Sequence, residues 1–146
     1  MSEMDEIVKT IVIRSPRSRV WQAVSDPKQF GVWFRAKIDG AFEPGALVQA
    51  ESTYPGHEGT RWEMRIVEVV PESLFVLSWP AVEDAQDPNL WTRVEFRLEE
   101  VPEGTRLALV ESGFDRLPDD LRVAMWRQNE DGWTLQMENI RRHVEG

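Results

Sequence analysis

Cysteine is absent from the 146 residues, which excludes disulfides, thiolate nucleophiles and zinc–thiolate centres. Histidine occurs only at His57 and His143. The first lies in a Pro/Gly loop and the second near a helix end, with no carboxylates at ligand spacing, so no metal is expected. Positive charge is scarce: 17 basic residues, only three of them Lys, face 26 acidic ones, for a net charge of −9. With no basic run or one-sided stripe, no nucleic-acid partner is expected. No apolar run approaches the ~20 residues of a membrane helix. The acidic start, MSEMDEIVK, lacks the basic region and apolar run of a signal peptide, so a cytoplasmic location is expected. P-loop, GxGxxG and GxSxG motifs are missing, and no cofactor is expected.

What is plentiful is indole and phenyl surface. Seven Trp and six Phe stand against one Tyr, and each large ring can bury roughly 150–250 Å². Either the core or a pocket must be dominated by them. Hydrophobic residues at 41% with charged residues at 29% describe a globular chain, expected to form one domain over residues 1–146.

The end of the chain, Pro118 to Val144, reads as one long helix. Trp126, Trp133, Met137, Ile140 and Val144 recur at helical spacing and form one stripe, widened by Leu121, Met125 and Gly132. Pro118 suits a first helical position. Asp119 and Asp120 complement the positive helix end, and Arg141, Arg142 and His143 the negative one. Such a helix needs a sheet to lie on, and most of what precedes it reads as strand.

Glu6 to Arg14 (EIVKTIVIR) is the first expected strand. Ser15-Pro16 is expected to cap and start a helix to Ser25, and Asp26-Pro27 a second short one whose Phe30, Trp33 and Phe34 share a face. Strands follow near Ala36–Asp39, Ala46–Thr53, Thr60–Val70, Ser73–Trp79, Leu90–Glu100 and Thr105–Gly113, with a polar loop at Pro80–Asn89 and a hairpin turn at Pro102–Gly104. Two strands alternate apolar residues with Arg and Glu, as an antiparallel sheet with one face in water requires. The fold class is α+β: a strongly bent antiparallel sheet of about six or seven strands wrapped around the last helix, with two short helices after the first strand.

SPRSRVWQAVSDPKQFGVWF at Ser15–Phe34, the FEPG turn at Phe42–Gly45, VEVVPESLFVLSW at Val67–Trp79, LALVESGF at Leu107–Phe114 and DGW at Asp131–Trp133 together resemble the START/birch-pollen-allergen-like helix-grip superfamily. Within it the chain is similar to the branch of homologues of the ninety-kDa heat-shock chaperone ATPase activator. The resemblance spans nearly the whole chain. It implies a hydrophobic or amphipathic small molecule held between sheet and helix, and carries no fixed catalytic motif.

From the residues themselves, Trp33, Trp62, Trp79, Phe96, Trp126 and Trp133 fall on inward faces, with Met64 and Met137 beside them. They fit an apolar pocket lining, and equally a plain core. Trp21 and Phe30 read as core, and Trp91 as a partly exposed residue on the charged side. Glu111 follows Leu107 and Leu109 at period two, so alternation points its carboxylate inward. An unpaired buried carboxylate is costly. Glu111 is therefore a ligand-orienting acceptor, a general acid/base or half of an ion pair with an Arg, unless it lies at an exposed mouth. Glu68 poses the same question, with a β-bulge as a way out. Asn129 sits within the apolar helix face and is expected to bond strand backbone or water, with ligand contact as the alternative. Gly132 is expected to admit a close approach.

Three functions follow, in this order: binding of a hydrophobic or aromatic, lipid- or polyketide-like molecule in the cavity, catalysis on such a molecule by Glu111, and a protein-interaction module using the charged outer sheet face. The oligomeric state is open between monomer and homodimer, with a sheet edge or Trp91 as contacts for the latter.

Overall fold

The structure, a computed structural model, describes residues 5–82 and 87–146. Its strands are β1 (Glu6–Ile13), β2 (Ala36–Asp39), β3 (Leu47–Ser52), β4 (Arg61–Val70), β5 (Leu74–Pro80), β6 (Trp91–Val101) and β7 (Gly104–Ser112). Its helices are α1 (Arg17–Ser25), α2 (Pro27–Phe34) and α3 (Asp119–Glu145). All seven strands join one curled antiparallel sheet in the order β1-β7-β6-β5-β4-β3-β2. The chain starts at one edge, crosses through α1 and α2 to the opposite edge, and meanders back to close against its own first strand.

Alternation decides which side chains face α3. Met64 and Ile66 on β4, Phe75 and Leu77 on β5, Val94 and Phe96 on β6, and Leu107 and Leu109 on β7 are fully buried. Between them, Arg61–Glu51, Arg93–Glu95, Arg97–Glu95 and Arg106–Glu99 pair on the outer face. The helix buries Trp133, Met137, Ile140 and Val144 and starts one residue later than expected, with Pro118 as its N-cap. Its length holds because α3 packs on β1 at one flank and on α2 at the other.

Some local expectations change. The α1 helix begins at Arg17 behind Pro16, with no side-chain cap, so Ser15 does not serve as one. Asp26 does cap α2, accepting from the Lys28 N–H. Glu68 is exposed because the β4–β5 register shifts between Ile66 and Glu68, the bulge that turns its carboxylate out. Gly132 admits no close approach, since a Cβ there would meet nothing within 4 Å. The loop expected at Pro80–Asn89 lies partly outside the described residues, and its last part forms a short 3-10 turn, Pro88–Leu90. Trp91 is half-buried at the start of β6, and His57 is exposed in its loop. Among the described residues, no helix is long and apolar enough to cross a membrane.

Candidate functional site

Three neighbouring strands bring one polar side chain each to the same place under α3. Trp79 on β5 lies opposite Thr92 on β6. One strand further, Glu111 of β7 lies opposite Val94, two residues along from Thr92. From above, Asn129 and Trp133, one helical turn apart on α3, point down at the same spot. Glu111 is fully buried.

Its carboxylate is surrounded by donors. Trp133 Nε1 donates to Oε1 at 2.8 Å and Trp79 Nε1 to Oε2 at 2.9 Å. The Thr92 hydroxyl donates to Oε2 at 2.5 Å. Asn129 Nδ2 bridges both oxygens at 3.1 and 3.2 Å. A carboxylate has about four lone-pair sites, and these donors occupy them. None of the partners is cationic. The inward placement thus holds, while the ion-pair and exposed-mouth alternatives for Glu111 are both overturned. The expected strand-backbone or water partner of Asn129 is overturned too, since its amide is committed to this carboxylate. Chemically the cluster is a pin, joining three strands to the helix through bonds strengthened by the charge they share.

Aromatic rings pack around the pin. Trp79 and Trp133 stack at 5.7 Å with 18° between planes, and Phe96 meets Trp133 edge-on at 5.8 Å. Phe34, the last residue of α2, touches Trp62 at 6.2 Å, Trp79 at 5.8 Å and Trp133 at 6.1 Å. It is only half-buried. The next residue, Arg35, is left-handed at φ 64°, ψ 61°, an uncommon conformation for a residue with a Cβ. Gln136 of α3 donates to the Phe34 carbonyl at 3.1 Å.

Trp62 is half-buried, yet its Nε1 is enclosed and has no hydrogen-bond partner among the described residues. Most buried donors find one.

The other expected site residues are distributed differently. Trp33 is buried one ring further in, with its indole spent on the Ala23 carbonyl at 2.7 Å. Trp126 is partly buried, and its indole donates to the Glu6 carbonyl at 3.0 Å, at the sheet edge. Met64 and Met137 are buried in the core. Two participants escaped the sequence reading. Thr92 shares the inward parity of Val94 and Phe96, so a lone hydroxyl on an apolar face was the available signal. Phe34 was visible as part of a helix face, but nothing in its spacing says that it ends the helix beside three indoles.

No group of His, Asp and Glu among the described residues can hold a metal ion. A separate open groove of about 530 Å³ runs between α2 and edge strand β2, lined by Lys28, Val32, Lys37 and Ile38 among others, and contains none of the expected ligand residues.

The comparisons with known proteins agree with this architecture. Protein MLL2253 from Mesorhizobium loti has a structure similar at a TM-score of 0.78 and 23% identity, covering 95% of this chain and 96% of that one. A protein from Arthrobacter aurescens is similar at a TM-score of 0.80 and 16% identity, covering 97% and 87%. The protein DynU16 of the dynemicin biosynthetic locus matches at a TM-score of 0.73 and 18% identity, covering 97% of this chain and 47% of that one. At these identities the likeness concerns the fold. No curated protein matches the chain in sequence. The model of the family described as Activator of Hsp90 ATPase homolog 1-like protein matches residues 14–145, and the chain belongs to that family, within the START-like helix-grip superfamily.

Proposed function

We propose that the protein binds an apolar or aromatic small molecule carrying a hydrogen-bond acceptor, between the sheet and α3 beside Phe34 and Trp62. One observation carries the reading: the enclosed, unpartnered Trp62 N–H on an aromatic wall. A buried donor left unpaired costs about 1–3 kcal/mol, which an acceptor atom of a ligand would recover. Phe34 is the movable part of that wall. It is half-buried, sits at a helix end and is followed by a left-handed residue, so a swing of this ring opens space against Trp62, Trp79 and Trp133. Membership in a family with a fold of the kind that binds small ligands or proteins supports the same reading.

In this account Glu111 and Asn129 position the wall rather than touch the ligand. Acid/base work by Glu111 would require one of its four partners to leave first. The outer sheet face, the alternative surface for a protein partner, is occupied with its own Arg–Glu pairs.

Tryptophan emission during titration with flavonoids, aromatic polyketide-like compounds and fatty acids tests the proposal, repeated on Trp62→Phe. That variant keeps a ring and removes the donor while leaving the Glu111 cluster whole. Saturable binding by an acceptor-bearing aromatic, weakened roughly tenfold in Trp62→Phe, is expected from the loss of one buried hydrogen bond. Binding unchanged in the variant would refute the role of Trp62, and no saturable change with any probe would refute the site.

A further inference from the structure

The end of the sheet that holds the Glu111 cluster is also the end where α2 hands over to β2. Strands β4 and β6 begin there, and β3, β5 and β7 end there. At the edge, Ala36 of β2 faces Ser52 of β3. The Thr53 N–H then donates to the Arg35 carbonyl at 2.9 Å, which carries the pairing one residue further. One more step along this register sets half-buried Tyr54 across from Phe34, the ring that touches Trp62, Trp79 and Trp133.

Arg35 stands between the aromatic wall and this loop. Its backbone is fixed from both sides, the N–H donating to the Gly31 carbonyl and the carbonyl accepting from Thr53. That holds it left-handed at φ 64°, where glycine or asparagine is the usual choice for a helix end. A basic residue in the preceding turn would answer the helix dipole without such strain, and α2 has none there. What Arg35 adds is its guanidinium, whose carbon sits 5.3 Å from the centre of the Tyr54 ring. Attraction to a ring face uses none of its five N–H donors. The chain has a surplus of carboxylates, at a net charge of −9, yet none pairs with Arg35 among the described residues. The acids of the adjoining strand and loop are committed elsewhere, Glu51 to Arg61 and Glu58 to the Gly56 N–H.

We infer that Arg35 is the counter-ion of the ligand, which makes that ligand an aromatic carboxylate. The inference rests on the reading of the Phe34–Trp62 wall as a binding site. The apolar body lies along Phe34 and Trp62, with an inner acceptor for the Trp62 N–H, and the carboxylate stays at the mouth against Arg35. An anion placed there keeps part of its hydration, so only apolar surface and one hydrogen-bonded atom are taken inside. A guanidinium matches a carboxylate through two parallel hydrogen bonds, and its hold on Tyr54 orders it before the ligand arrives.

Isothermal titration calorimetry near neutral pH with 6-hydroxy-2-naphthoate and its neutral amide tests this. The two share a ring system and a hydroxyl, and differ in charge. The parent should bind the carboxylate roughly five- to tenfold more tightly than the amide. Arg35→Gln and Arg35→Gly should each weaken the carboxylate by that factor and leave the amide unchanged. Glycine accepts the left-handed backbone, so Arg35→Gly keeps the parent's melting temperature even if Arg35→Gln does not. Added salt should weaken the carboxylate in the parent and change little in the Arg35 variants. Trp62→Phe should weaken both compounds alike, because the inner end is common to them. Equal affinity of the parent for the two compounds, or a preference that survives both Arg35 variants, would overturn the inference and leave the Phe34–Trp62 site standing. If neither compound binds the parent, the site falls and the inference falls with it.

Discussion

Glu111→Gln is the substitution in which shape and chemistry separate most cleanly. The amide fits the same space but replaces one acceptor oxygen by an NH2 group. Placed at Oε1, that group faces the Trp133 indole. Placed at Oε2, it faces the Trp79 indole. The Thr92 hydroxyl and the Asn129 amide can turn to accept, whereas an indole N–H can only donate. One indole is therefore stranded in either orientation, at about 1–3 kcal/mol, and the surviving bonds lose the ~1 kcal/mol or so that a charged acceptor adds to each. Relief from burying a charge offsets part of this. The net expectation is a loss of about 2–4 kcal/mol, or roughly a 10 °C fall in melting temperature for a chain of this size. Urea denaturation should show a lower midpoint with an unchanged slope, since the surface exposed on unfolding is the same. Glu111→Leu, which strands all four donors, should cost more. A Glu111→Gln protein within about 0.5 kcal/mol of the parent would refute the view of this carboxylate as the pin between sheet and helix.

Two glycines should respond in opposite directions. Gly132→Ala fills open space in mid-helix and should stabilise by about 1 kcal/mol in a thermal melt. Gly31→Ala would bring a Cβ to 2.5 Å from the Ala36 carbonyl oxygen and should destabilise by about 1–3 kcal/mol, by the cost of overpacking. His143 gives a pH dependence. Burial first, and then the charge of Arg19, hold it below its usual 6.5. The unfolded chain therefore takes up the proton first as pH falls. Stability from neutral His143 is complete above about 6.5 and declines from there to the lower folded value. Urea midpoints between about pH 8 and 5 should fall less steeply in His143→Gln than in the parent. Equal slopes would show that this titration does not count.

Much of the architecture was legible because it rests on period. Alternation in Trp62–Ile66, Val94–Leu98 and Leu107–Glu111 marks the strands, and the stripe from Trp126 to Val144 marks the helix. The bulge at Glu68 was legible as an option, because a carboxylate on an apolar parity asks for one. What the sequence did not disclose is which inward residues meet. Glu111 and Asn129 each read as a residue needing a partner, and their partners proved to be each other. That result depends on the angle at which α3 crosses the sheet, which no local spacing encodes. For the same reason Trp33 and Trp126, inward by helical spacing, have their indoles committed to the Ala23 and Glu6 carbonyls, whereas the Trp62 indole is bonded to no described residue.

The indole N–H region of a proton–nitrogen correlation spectrum tests the central claim most directly, because each of the seven Trp contributes its own signal. Trp33, Trp79, Trp126 and Trp133 are bonded to protein acceptors, and Trp62 is not. Titration with an acceptor-bearing aromatic compound should move the Trp62 signal downfield, in a saturable way, as it gains a partner. Trp33, buried a ring away, should hardly shift. A Trp62 signal unmoved by every compound that binds, or shifts centred on Trp33 and Trp126 instead, would contradict the account.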